Sequence, residues 1–62
     1  MEEIIFSKYG CDIFIRDRKY YLRHDIGHFN IEMRDDEILE EEAIKAQKSK
    51  QNLIELIDKY TR

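Results

Sequence analysis

Apolar and polar side chains alternate through the first half of this chain, and the spacing becomes helical in the second half. Residues 1–34 are rich in Ile, Phe and Tyr and keep a two-residue period, that of a strand with one buried face. Residues 35–62 contain no Gly and almost no aromatics, and are dense in Glu, Lys, Ala, Leu and Ile, which is helix composition.

The alternating half can be tested by asking whether one register serves every strand. Two-residue turns at Tyr9-Gly10, Asp17-Arg18 and Ile26-Gly27 set Phe6 against Ile13 and Ile4 against Ile15. They also set Ile15 against Tyr20, Ile13 against Leu22 and Cys11 against His24. In the third hairpin they set Tyr20 against Met33, Leu22 against Ile31 and His24 against Phe29. Cross-strand neighbours share a face, so one side of the sheet becomes almost wholly apolar. A one-residue slip would bring Asn30 or Asp12 into that layer. The turns are the weak points, because two-residue hairpins favour Asn-Gly or Asp-Gly, and Arg18 is poorly suited to positive φ.

In the second half the acidic run DDEILEEE reads as a helix start, with Lys45, Lys48 and Lys50 following to complement the helix dipole. Ser49 is a candidate cap for a second helix. Leu39, Ala43 and Ala46 share one side, as do Leu53, Leu56, Ile57 and Tyr60. The pattern therefore predicts an α+β fold. A four-stranded antiparallel β-meander over residues 3–34 has its apolar face covered by one C-terminal helix, or two short ones, over residues 37–60. With no proline, linker or long repeat, residues 1–62 form a single small domain.

Composition narrows the picture. A chain of 62 residues buries only about 60% of the surface its unfolded form exposes. Such scaffolds usually add a disulfide, a metal or a partner. Cys11 is the only cysteine, which excludes a disulfide within the chain and fits a reducing, cytoplasmic setting. No apolar run approaches the roughly 20 residues of a membrane span, and the acidic start MEEIIFSKYG does not resemble a secretory signal. Charged residues make up 40% of the chain at a net charge of -3, so the distribution of charge matters more than its sum.

The stretch RHDIGHF, residues 23–29, holds both histidines and an aspartate. Cys11 opposite His24 is the best argument for a metal. However, a zinc site needs three or four converging ligands, and no CxxC or HExxH spacing is present. The stretch reads as a turn, with no metal and no cofactor expected. Nucleophilic chemistry at Cys11 lacks an electropositive, exposed setting and an oxyanion hole. The acidic run lacks the spaced ligands and central Gly of a calcium loop. The chain reads as non-enzymatic.

The same register places Ile5, Phe14 and Tyr21 in an apolar row on the face away from the helix, with Glu32 beside Tyr21. Arg16, Arg23 and Arg34 are among the residues flanking it. An aromatic centre with an arginine rim is the usual composition of a protein-binding hot spot. The acidic helix start, with Asp35, Asp36, Glu40 and Glu41, is a second candidate contact. These features point to a small protein-binding regulator or inhibitor, of the immunity, antitoxin or phage anti-defence type, working as a homodimer. The alternative is a nucleic-acid-binding accessory protein that stacks bases on the exposed aromatics. The acidic net charge and the absence of a nucleic-acid-binding motif weigh against it.

Overall fold

Both of the first two hairpins turn in two residues. Tyr9 and Gly10 have φ of 57° and 76°, and Asp17 and Arg18 have φ of 52° and 65°. Positive φ at both central residues is the hairpin turn whose twist matches its strands. Gly10 takes that conformation freely. Arg18 takes it at a steric cost, which the flanking strand pairs must outweigh.

The computed structural model describes residues 1–25 and 30–61. Strands β1 (Glu3–Lys8), β2 (Cys11–Arg16), β3 (Lys19–Asp25) and β4 (Met33–Ile38) form one antiparallel sheet in sequence order. Helices α1 (Glu40–Lys48) and α2 (Lys50–Thr61) follow. The architecture is the α+β meander with covering helices that the pattern predicts. No helix among the described residues is long and apolar enough to cross a membrane.

The central pairs match the expected register, with Phe6 on Ile13, Ile13 on Leu22, Phe14 on Tyr21 and Ile15 on Tyr20. Two expectations fail. A bulge between Ile4 and Phe6 sets Ile4, instead of Ile5, against Phe14, and Glu3 against Ile15. Bulges are common on edge strands, where they blunt pairing with other chains.

The third hairpin differs more. Tyr20 pairs with Ile38, Leu22 with Asp36 and Tyr21 with Glu37, five positions further along than the expected Met33, Ile31 and Glu32. Residues Ile26, Gly27, His28 and Phe29, including the expected turn and the His24–Phe29 pair, lie outside the described residues. Asp35, Asp36 and Glu37, expected in or beside a helix start, are strand residues, and the helix begins at Glu40.

Charge pairing accounts for the shift. In the observed register Arg23 lies opposite Asp35 and reaches it through two hydrogen bonds of 2.7 and 3.1 Å. Lys19 approaches Glu37 at 3.9 Å, and Asp36 meets buried His24 at 2.7 Å. The shorter hairpin would set Arg23 against Asn30 and leave these acids without cross-strand cations. Because the shift is an odd number of residues, it also exchanges the faces of β4. Ile38 thereby enters the core, where it is 4% exposed, while Ile31 is left 82% exposed.

The helices close over the face carrying Cys11, Ile13, Leu22 and Ile38, and contribute Ala43, Ala46, Leu53 and Leu56 to the same core. Small Ala residues let α1 approach the sheet, and the larger Leu residues of α2 fill the remaining space. Two separate helices form because Ser49 is extended at φ -156°. Its Oγ accepts the Asn52 backbone N–H at 3.1 Å, so the residue ending α1 also caps α2.

At the front of α1, the Leu39 backbone N–H donates to Glu42 at 3.0 Å, satisfying one orphan donor. Glu42 also receives Lys59 Nζ and the Tyr60 hydroxyl, both at 2.6 Å, which ties α1 to the end of α2. Burial works against the Glu42 carboxylate, but these bonds outweigh it and hold it below the usual range. The same contact pushes Tyr60 up to about 12. Asp36 follows the same logic, with burial outweighed by hydrogen bonds from His24 and Arg34, and Asp35 is held down mainly by its bond to Arg23.

Carboxylates whose folded values are depressed stabilise the fold fully above their unfolded values, and that contribution is lost as pH falls through the folded ones. Thermal melts from neutral pH downward should therefore stay level until about pH 4 and then fall. Glu42→Gln should be less stable at neutral pH and show a shallower acid decline. A melting temperature that does not change down to pH 2 would contradict these assignments.

Candidate interaction surface

The outer face of the sheet is where an exposed aromatic row is expected, and its centre is instead closed. Phe14 is 0% exposed. Tyr21 stacks on it at 5.4 Å between centroids with the rings 15° apart. The Arg23 guanidinium lies over the Phe14 ring at 4.6 Å, and Arg16 lies over Tyr21 at 4.6 Å and over Phe14 at 5.6 Å. Flat guanidinium groups cover aromatic faces well, and their stems add apolar shielding.

Acids hold both arginines in place. Glu2 reaches Arg23 at 3.2 Å and Arg16 at 4.0 Å, and Asp35 grips Arg23. The Arg23 guanidinium, bonded first of all to Asp35, is held above its ordinary value. This part of the face is a second, smaller core roofed by ion pairs.

The residues singled out from sequence therefore do not form one site. Ile5 sits at the bulge and packs against the main core, while Ile4, 55% exposed, takes the place beside Phe14. Arg34 moves from the outer face to the helix side, where it donates to Asp36 at 3.0 Å and to the Tyr60 carbonyl. Asp35 lies on the outer face with Arg23, and Asp36 on the helix side with His24. Glu40 accepts the Tyr20 hydroxyl at 3.0 Å, and Glu41 is exposed. The basic and acidic candidates are largely one another's partners.

Exposed apolar surface collects elsewhere, at the end of the sheet carrying the first turn. Tyr9 (59% exposed), Ile31 (82%) and Met33 (45%) line one open hollow with the half-buried Ile57 of α2. Lys50 Nζ, 5.0 Å above the Tyr9 ring, anchors the start of α2 to this turn. Among the described residues, Gly10, Cys11, His24 and Asp25 also line the hollow, which measures about 470 Å³. Asp25 accepts the Glu32 backbone N–H at 2.9 Å, which helps place the segment bearing Ile31 and Met33.

His24 and Cys11 lie at the floor of the hollow. His24 is 1% exposed, and its Nε2 lies 2.7 Å from Asp36 Oδ2. A carboxylate only accepts, so Nε2 carries the donated proton. Nδ1 is buried and has no hydrogen-bond partner among the described residues. The Cys11 thiol donates to the Tyr9 carbonyl at 3.7 Å, and burial, followed by the nearby Asp12 charge, pushes it up. At neutral pH that thiol stays protonated, which is the wrong state for a nucleophile. Among the described residues, no three His, Cys, Asp or Glu side chains are grouped to hold a metal ion.

No family model, curated protein or solved structure matches this chain. The hollow was missed in the sequence because the shorter hairpin buries Ile31 and Met33. The one available signal was the acid run itself, which offers partners for Arg23 only if the strand lies further along.

Proposed function

We propose that this chain is a small non-enzymatic regulator or inhibitor, in a cytoplasmic setting, that acts by binding another protein. Its docking surface is the apolar rim of the hollow, and the same surface joins two copies of the chain when the partner is absent. The observation that carries this reading is the clustering of Tyr9, Ile31, Met33 and Ile57 around one concavity. Scattered surface apolars need no explanation, but apolar side chains gathered around a hollow are typical of an interaction site.

Self-association suits a chain that can bury only a small core, and an isologous pairing would cover the same side chains on both copies. The raised Cys11 thiol supports the non-enzymatic part of the reading. The nucleic-acid alternative draws less support, since Phe14 is buried and Arg16 and Arg23 already engage Glu2 and Asp35.

The test is Ile31→Arg. At 82% exposure this side chain contributes little to the core, so the variant should melt like the parent chain. It should nevertheless lose self-association, measured by sedimentation velocity. An Ile31→Arg protein that assembles as the parent does would sink the proposal.

A further inference from the structure

Helix α2 carries two stripes, and one of them faces the core. Leu53, Leu56 and Tyr60 turn toward the sheet, with the two leucines buried. Lys50, Ile54 and Ile57 follow one another at spacings of four and three residues, which places them together on the neighbouring side of the helix. That spacing is the seam along which two helices pack. Ile54 is 47% exposed and Ile57 is half-buried, and Ile57 also belongs to the rim of the hollow. Lys50 adjoins the same rim through the Tyr9 ring. The stripe thus continues the apolar rim along α2.

The charges on α2 run against its own dipole. Helix α1 has Glu40, Glu41 and Glu42 in its first turn and Lys45 and Lys48 in its last, the favourable order. In α2 the first residue is Lys50, the first turn holds no acid, and Asp58 stands in the last turn beside Lys59. Lys59 is engaged by Glu42 of α1. An antiparallel second copy of α2 reverses this mismatch. It brings Lys50 to the negative end of the other helix and Asp58 to the positive end, in both copies at once.

We infer that two copies of the chain pair through this stripe, with their α2 helices antiparallel and Ile54 of each copy packed against Ile57 of the other. Lys50 of each then lies within one helical turn of Asp58 of the other, so the contact is apolar at its centre and charge-matched at both ends. The arrangement is isologous, as a twofold pair requires. Within one chain Lys50 and Asp58 are about 12 Å apart along the helix axis, so they complement each other only between copies. This pairing rests on the docking role proposed for the rim and specifies how the second copy is seated there.

Charge reversal tests it, read as dimer dissociation constants by sedimentation equilibrium at low salt. Lys50→Glu and Asp58→Lys each bring like charges together across the twofold axis and should weaken pairing about tenfold. Both substitutions suit the dipole of α2 itself, so melts of dilute protein should stay at the parent's temperature. The double variant Lys50→Glu/Asp58→Lys should pair as the parent does, an outcome that does not follow if Lys50 acts only through Tyr9. Ile54→Glu, at a half-exposed position outside the core, should keep the fold and lose pairing.

A parent chain that pairs, loses pairing in Ile31→Arg and is indifferent to both charge reversals would overturn the antiparallel seating while leaving the rim as the docking surface. Failure of the double variant to regain pairing would overturn it in the same way. A parent that stays single at every concentration would overturn the seating and the self-pairing of the rim together.

Discussion

Phe14→Ala is expected to destabilise this protein by about 3–5 kcal/mol, the usual range for deleting a buried Phe. A core of this size rarely supplies more than about 3–5 kcal/mol in total, so the variant should be largely unfolded at room temperature. The reason is local. Phe14 is 0% exposed although it lies on the face away from the helices. Its ring supports Tyr21, Arg16 and Arg23, and the two arginines in turn organise Glu2 and Asp35. Removing the ring leaves a cavity beneath two cations that had been placed over it. Urea denaturation followed by circular dichroism reads the effect. If Phe14 were instead an exposed contact residue, the alanine variant would unfold at the same midpoint as the parent.

Leu53→Ala should cost about 2–5 kcal/mol by the same cavity argument, applied to the opposite face of the sheet. Leu53 is 1% exposed and belongs to the core cluster formed by the sheet, Ala43, Ala46 and Leu56. It is the most deeply buried side chain of α2 in that core, so its loss weakens the contact that covers the sheet. The next residue gives an internal control. Ile54 is 47% exposed, and Ile54→Ala should change stability by no more than about 0.5 kcal/mol. Equal destabilisation by the two substitutions would mean that α2 is rotated from the orientation described here.

The particular elements show how far pattern alone reaches. The Ile13–Leu22, Ile15–Tyr20 and Phe6–Ile13 pairs were legible because apolar alternation and turn length agree at each. Ser49 stood out as a candidate cap, but the pattern left one long helix and two short ones equally open, and the extended backbone at Ser49 decides for two. The position of β4 was not. MRDDEI carries four charges in six residues, and only Ile38 of this strand is buried among the apolar core residues. Its acids are equally suited to a helix start, and the choice is made by Arg23 and His24 on the neighbouring strand. Such cross-strand pairing is visible only once the strands are side by side.

The outer face was misread for a related reason. Its aromatic row is present at Phe14 and Tyr21, but the flanking arginines fold over it once Glu2 and Asp35 hold them. A rim of arginine around an aromatic centre can be a binding surface or its own lid, and the difference lies in whether acids stand nearby. The exposed hollow depended on the seven-residue separation between the end of β3 at Asp25 and the start of β4 at Met33. That separation leaves Ile31 and Met33 at the surface beside Tyr9 and Ile57.

The central claim is that the rim of this hollow is a binding surface that pairs two copies of the chain. Light scattering on a sizing column tests it most directly, across a wide range of loading concentrations. The predicted result is a mass that rises with concentration toward that of two chains, and stays at one chain for Ile31→Arg. A parent protein that remains at 7.6 kDa throughout would contradict the account.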